Sequence, residues 1–215
     1  MSESILVCGQ WPLPLRPGTG GFYEYLQTAS AKNASCFLEL VKDLPTGMSV
    51  SEHFGGCGLF STIIQQVLHP RSHTIYDLDS DCVAQLESVF GSVASVAQGD
   101  AKETMGARAE MVVLDFAYAT IRNHDEWPWA RVAAAEPGYI IWSDTACRRI
   151  GLHRATYSKI FGTHIHTHED YVNAYSQWIW KRYGYSIVKE AHHVYSYMRA
   201  ERTPPVEIKF TKVTR

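Results

Sequence analysis

The chain has 215 residues, is 46% hydrophobic and carries a formal net charge of −2, which suits one domain with a full hydrophobic core. No apolar run approaches the roughly 18 residues of a membrane span, so no membrane association is expected. Cys8, Cys36, Cys57, Cys82 and Cys147 are odd in number and form no C-x-x-C pair, which excludes a disulfide framework or a cysteine zinc site and points to reduced thiols. The first residues, MSESILVCGQWPLPLRPG, lack a basic region followed by a long apolar core, so no signal peptide is expected and a cytoplasmic location is.

Charge is unevenly spread. Residues 1–138 hold 8 Lys+Arg against 16 Asp+Glu, and residues 139–215 hold 12 against 6. A basic C-terminal half could meet an anionic partner such as nucleic acid, although no basic run exceeds two residues and a solvated mixed surface reads equally well.

In chain order, residues 1–21 form an extended arm, because Trp11 to Gly21 is rich in Pro and Gly. Residues 22–215 are expected to form a single domain. Phe22 to Leu44 reads as one or two helices, stopped by Pro45 and Gly47. A short apolar run from Met48 then ends in Glu52, His53 and Phe54, and Gly55, Gly56 and Gly58 make a tight turn. A helix follows over Leu59–Leu68, and a second strand over His73–Tyr76 closes on Asp77. Strand, Gly-rich turn, helix, strand and acid is the layout of a nucleotide-type cofactor site. Gly58 and Asp77 lie 19 residues apart, near the roughly 20 of that unit. Ser61 stands where the third glycine of a dinucleotide fingerprint would be, which argues against NAD.

A helix is expected from Asp81 to Phe90 and a third strand over Ser92–Ala97, followed by Gln98-Gly99-Asp100. Met111–Leu114 is a continuous apolar run of the buried parallel type, ending in Asp115. Helical residues around Trp129–Ala135 lead to a fifth strand, Tyr139–Trp142, that ends near Asp144. This alternation predicts an α/β, Rossmann-like doubly wound and mostly parallel sheet. The tail reads as a helix over Glu169–Tyr183 and three candidate strands, Tyr185–Lys189, Val194–Arg199 and Val206–Val213.

Glu52-His53-Phe54-Gly55-Gly56-Cys57-Gly58 fits E-x-F-x-G-x-G and resembles the first motif of class I S-adenosylmethionine-dependent methyltransferases. The resemblance covers roughly residues 20–200 as architecture and 52–118 as motifs. It implies a seven-stranded sheet with C-terminal antiparallel strands, one of the three tail candidates being surplus, and S-adenosyl-L-methionine as cofactor. It also implies a glycine loop (Glu52, Phe54, Gly55, Gly56, Gly58) around the methionine part and Asp77 on the ribose hydroxyls. Asp100, after Gly99, would accept from the adenine amino group, with Asp115 at the fourth strand end. Each acid has a second reading as a helix N-cap, and Asp81 is expected to be one.

A narrower likeness is to DNA adenine methyltransferases, through the same loop, Tyr76-Asp77-Leu78-Asp79-Ser80-Asp81, and Asp115-Phe116-Ala117-Tyr118. By that likeness Asp115 would accept from an exocyclic amine and Tyr118 would stack on a flipped base, making them the catalytic candidates and a nucleic-acid base or nucleotide the favoured acceptor. The motif here lacks both prolines of D-P-P-Y, and His53 stands where Pro would be. Those departures and Cys57 motivate the alternative, a silent binding or structural protein that keeps the fold. Trp127 and Trp129 read equally as acceptor walls or as packing. His164, His166 and His168 alternate, near His192-His193, but no acid or Cys completes a ligand pattern, so no metal is expected and a general base is the preferred active reading.

Overall fold

The computed structural model describes residues 34–56, 58–114, 127–146, 150–192 and 195–203. Seven strands form one sheet: β1 (Ser49–His53), β2 (Ser72–Asp77), β3 (Ser95–Gln98), β4 (Met111–Leu114), β5 (Tyr139–Ala146), β6 (Tyr185–His192) and β7 (Tyr195–Arg202). Their order is β3-β2-β1-β4-β5-β7-β6. The first five are parallel, with Val50 opposite both His73 and Met111, and Leu114 opposite Trp142. β7 inserts antiparallel between β5 and β6. The chain winds outward from β1 to β3 and then returns to β4, so the order reverses between β1 and β4. Ligands of open α/β sheets bind outside the carboxyl ends at such a point.

The seven-stranded, mostly parallel sheet with C-terminal antiparallel strands is present as expected, with shifts at its margins. β3 begins at Ser95 rather than Ser92, because residues 91–93 are a turn in which Val93 N–H donates to Phe90 O. β5 runs on to Ala146, which puts Asp144 inside a strand rather than beyond one. Its pairing with β7 shifts between Ser143 and Ala146. The candidate strand at 206–213, like residues 1–33 and Asp115 to Tyr118, lies outside the described residues.

Helices cover both faces. α1 (34–41) and α2 (Leu59–Ile63) lie on one face, and α2 continues as a π-helical turn, Ile64–Leu68. Phe37 stacks on Phe60 with ring centres 4.1 Å apart, over Val50, Val113 and Ile141. Arg199 fastens α1 to β7, donating to Leu40 O and to Asp43, both at 2.7 Å. α3 (Ser80–Phe90) and α4 (Ala101–Thr104) follow β2 and β3. α5 (Trp127–Ala134), α6 (Ile150–Phe161) and α7 (His168–Tyr183) complete the set.

α7 carries reciprocal capping, with Thr167 Oγ1 accepting from Asp170 N–H and Asp170 accepting from Thr167 N–H. It ends at Gly184, whose φ of 73° suits the left-handed cap. Trp129, Trp142, Tyr157, Tyr171, Tyr175 and Trp178 form an aromatic core between these helices and the sheet. Trp129, a candidate acceptor wall, is 1% exposed and meets Trp142 edge-on at 4.8 Å, so it is core. Among the described residues no helix is long and apolar enough to cross a membrane.

Candidate cofactor site at the carboxyl edge

The turn after β1 puts its three described glycines to different uses. A Cβ on Gly55 would stand 2.5 Å from Ile75 Cγ2, and one on Gly58 2.6 Å from Phe90 Cε2. Both glycines are buried and are required by packing: they let the turn press onto the small core of Ile75, Leu86 and Phe90. Gly56 differs. It is left-handed like Gly58, with φ 51° against 78°, but a Cβ there would meet only Phe54 O, at 3.8 Å. Of the three, the open position is Gly56, so that is where a ligand can approach backbone. Phe54 is also left-handed, with φ 65°, and its ring packs half-buried against the aromatic core.

Asp77, at the end of β2, holds this turn. Gly56 N–H donates to Asp77 Oδ2 at 2.8 Å, and Asp79 N–H donates to Oδ1 at 2.9 Å. A carboxylate offers about four lone-pair directions, so two remain for hydroxyl donors. Asp79 caps α3 by accepting from Asp81 and Cys82 N–H. Capping therefore falls to Asp79 rather than to Asp81, which lies in the first turn. Asp100 is exposed and caps α4 through Oδ1, accepting from Lys102 N–H at 2.8 Å. Its two readings are compatible, since Oδ2 carries no part of that bond. Gly99 N–H donates to Asp77 O at 3.0 Å, which ties the two acid-bearing turns together. Leu78 lies beside Asp77 with 65% of its surface exposed, an apolar platform beside Asp77 and the Asp100 turn. Gln98 fixes its backbone by donating to Leu78 O.

Glu52 is buried behind the turn. Its Oε2 accepts from Ser61 Oγ at 2.8 Å and from His73 Nε2 at 3.0 Å, with Gln65 Nε2 on His73 Nδ1 at 3.0 Å. Glu52, Ser61 and His73 are all buried, so the network ties α2 and the π-helical turn to β1 and β2. His53 faces the other side of the sheet. Ser51 Oγ lies 3.0 Å from its Nε2, and Thr104 Oγ1 lies 3.1 Å from its Nδ1. Burial lowers its pKa from 6.5 to about 4, because a charged ring would be desolvated there. The imidazole stacks on Tyr76 at 5.1 Å.

The sequence does not single out Ser51, Gln65, His73 or Thr104, and it marks Ser61 only as a missing glycine. The available signal was period-two alternation, which puts polar His73 on the same buried face as Ile75.

The histidines gather elsewhere on the same edge. β6 runs parallel to β1–β5, so Glu190, near its end, lies toward the carboxyl edge. His168 Nε2 and Glu190 Oε1 are 2.8 Å apart, and the His164 and His166 rings are 6.1 Å apart. Three strand spacings, ~14 Å, separate β6 from β4. Among the described residues no group of three His, Cys, Asp or Glu could hold a metal ion.

Together, the strand order and the carboxyl-edge turn define the class I S-adenosylmethionine-dependent methyltransferase fold. Magnesium protoporphyrin IX methyltransferase from Synechocystis PCC 6803, crystallised with bound S-adenosylmethionine, is similar with a TM-score of 0.61 and 16% identity. The match spans 94% of this chain and 92% of that one. PH1948 of Pyrococcus horikoshii, a proposed RNA methyltransferase, gives 0.59 and 14% over 82% and 84%. Human N-acetylserotonin methyltransferase gives 0.56 and 16% over 85% and 55%. At these identities the likeness is one of fold. Neither family models nor curated proteins match the sequence.

Proposed function

We propose that this chain is an S-adenosyl-L-methionine-dependent methyltransferase. The observation that carries the reading is the Gly56–Asp77 contact at the switch point of a β3-β2-β1-β4-β5-β7-β6 sheet. It leaves open backbone, a carboxylate with spare acceptor directions and a second exposed acid on one edge. These residues fit the cofactor: Gly56 offers room for close approach, Asp77 suits a ribose diol, Leu78 suits a purine face and Asp100 Oδ2 suits an exocyclic amine. Phe54, Gly55 and Gly58 shape the turn, Gly99 gives the Asp100 turn its close approach, and Glu52 supports the turn from behind.

When bound, the cofactor supplies a methyl group already activated on sulfonium sulfur, which leaves as a neutral thioether. The chain's own residues bind, orient and exclude water, and alignment with the acceptor lowers the barrier. Asp115 and Tyr118, beyond β4, are the proposed acceptor contacts. Their D-x-x-Y spacing and the basic C-terminal half support a nucleic-acid base or nucleotide as acceptor. The fold neighbours act on chemically diverse acceptors and support no narrower choice. The scattered cysteines, with no C-x-x-C pair in the sequence, support a cytoplasmic location.

Titration calorimetry with S-adenosylhomocysteine tests the reading. Heat is expected for the wild type, with Asp77→Ala weakening binding by about 1–3 kcal/mol through lost buried hydrogen bonds. Absence of heat at millimolar ligand removes the enzyme reading and leaves a scaffold that keeps the fold. Labelled methyl transfer to DNA, RNA and protein pools then reads the acceptor, and labelling of protein alone would end the base assignment.

A further inference from the structure

We propose that His53 is a positioning residue for Asp100, acting through the hydroxyl of Thr104 to set the carboxylate that selects adenine. The inference rests on the cofactor reading above and adds a residue to it. His53 stands where the DNA adenine methyltransferase likeness has Pro, and its side chain is 0% exposed. A buried imidazole needs partners for both nitrogens, and here both have them.

The bonds have one consistent direction. Thr104 Oγ1 donates to Asp100 O at 3.2 Å, so toward His53 it accepts, and the ring proton lies on Nδ1. Ser51 Oγ then donates to Nε2. Ser51, His53, Thr104 and Asp100 form a single chain of donors, each hydroxyl used once as donor. The neutral ring that this requires agrees with the depressed pKa.

α4 needs such an anchor. It has four residues, too few to hold a helix on its own, yet its first turn carries Asp100. Thr104 also fills the space beside Gly99, where a Cβ would lie 2.7 Å from Thr104 Cγ2 and 3.6 Å from Tyr76 Cδ1. Tyr76 stacks in turn on His53. Beside the burial of Ala101 and Met105 in the core, the bond from His53 is therefore a polar side-chain link that holds the Asp100 turn against β1, the strand that leads into the glycine turn.

The test is the preference of the protein for S-adenosylhomocysteine over S-inosylhomocysteine, which carries an oxo group in place of the adenine amine. Calorimetry on the full chain reads both affinities. Thr104→Val keeps the shape and removes the hydroxyl; it is expected to lower the preference about tenfold, the scale of one lost hydrogen bond. Thr104→Ser should retain it. His53→Asn leaves an N–H near the Nδ1 position and should retain the preference, whereas His53→Gln reaches the Ser51 side and should lose it.

A merely structural role would weaken both ligands together and leave the ratio unchanged, and that result overturns the proposal. An unchanged ratio in Thr104→Val overturns it too, and that variant carries the test if a His53 variant does not fold. Failure of the wild type to bind S-adenosylhomocysteine at all removes the parent reading instead, so the two failures are distinguishable.

Discussion

The two halves of the sheet are built differently. At the outer edge of the sheet, around β2 and β3, the apolar core on the α3 side is small, formed by Ile75, Leu86 and Phe90, and much of the order there and at the end of β1 comes from hydrogen bonds: Asp77 to the glycine turn, Glu52 to His73 and Ser61, His53 to Thr104. Under β4, β5 and β7 order comes from mass. Trp129, Trp142 and Tyr175 meet edge-on within 5.8 Å of one another. Polar networks fix direction at modest net stability, because each bond is exchanged for one to water. Aromatic burial gives stability with less direction. The half that would hold a cofactor is the directional one, and the aromatic half keeps it in place.

The largest effect expected is on the aromatic side. Trp142→Ala removes a side chain 1% exposed and should cost about 3–5 kcal/mol of unfolding free energy, measured by urea denaturation. A loss under 1 kcal/mol would mean that the core closes over the gap and that the contrast between halves is overstated.

The glycines separate packing from binding within one turn. Gly58→Val meets both a left-handed backbone, φ 78°, and Phe90, so about 3 kcal/mol of stability should be lost together with cofactor affinity. Gly56→Ala is left-handed but open, so about 1–2 kcal/mol is expected, with the larger loss in affinity. Equal stability losses in the two variants would show that the turn is not pressed onto α3 as described.

Acid should loosen the His53–Thr104 contact first and the Asp43–Arg199 contact at lower pH. His53 has its folded pKa lowered to about 4 from 6.5, so between those values the unfolded state binds the extra proton. Stability then rises with pH across that window, and falls by up to ~3 kcal/mol as pH drops from about 6.5 to 4. Asp43 is held well below the usual carboxylate range by Arg199 first and Lys189 next. Its contribution is present above the unfolded carboxylate value and is lost only at lower pH. Denaturation of wild type and His53→Asn at several pH values reads this, and an identical slope in both between pH 6.5 and 4 contradicts the buried neutral ring.

What the sequence displayed was periodicity and turn chemistry. Met111–Leu114 is apolar throughout because it lies in the middle of the sheet, and the glycines mark backbone that bends where side chains cannot. The pairings across the sheet were not legible. Glu52 and His73 are 21 residues apart, and their contact exists only because β1 and β2 lie side by side. Nor was α6 anticipated: of its described side chains Tyr157 is the one fully buried, while Arg154, Ala155 and Lys159 are exposed, so its apolar stripe is too thin to show a helical period. His53 showed in the sequence only as a missing proline. Its use depends on Thr104, 51 positions later.

The smallest effect concerns α7, which belongs wholly to the aromatic half. Thr167→Ala removes the acceptor for Asp170 N–H and with it the reciprocal bond geometry, a change of about 1 kcal/mol. Asp170 has its pKa lowered by the Thr167 and His166 backbone N–H groups, so it remains charged at neutral pH and keeps its favourable place at the positive end of the helix. The substitution should therefore lower unfolding free energy without altering affinity for S-adenosylhomocysteine. Were affinity to fall with it, the two halves would be coupled more tightly than their separate construction implies, and Phe54, which reaches from the glycine turn into the aromatic core, is the residue through which that coupling would run.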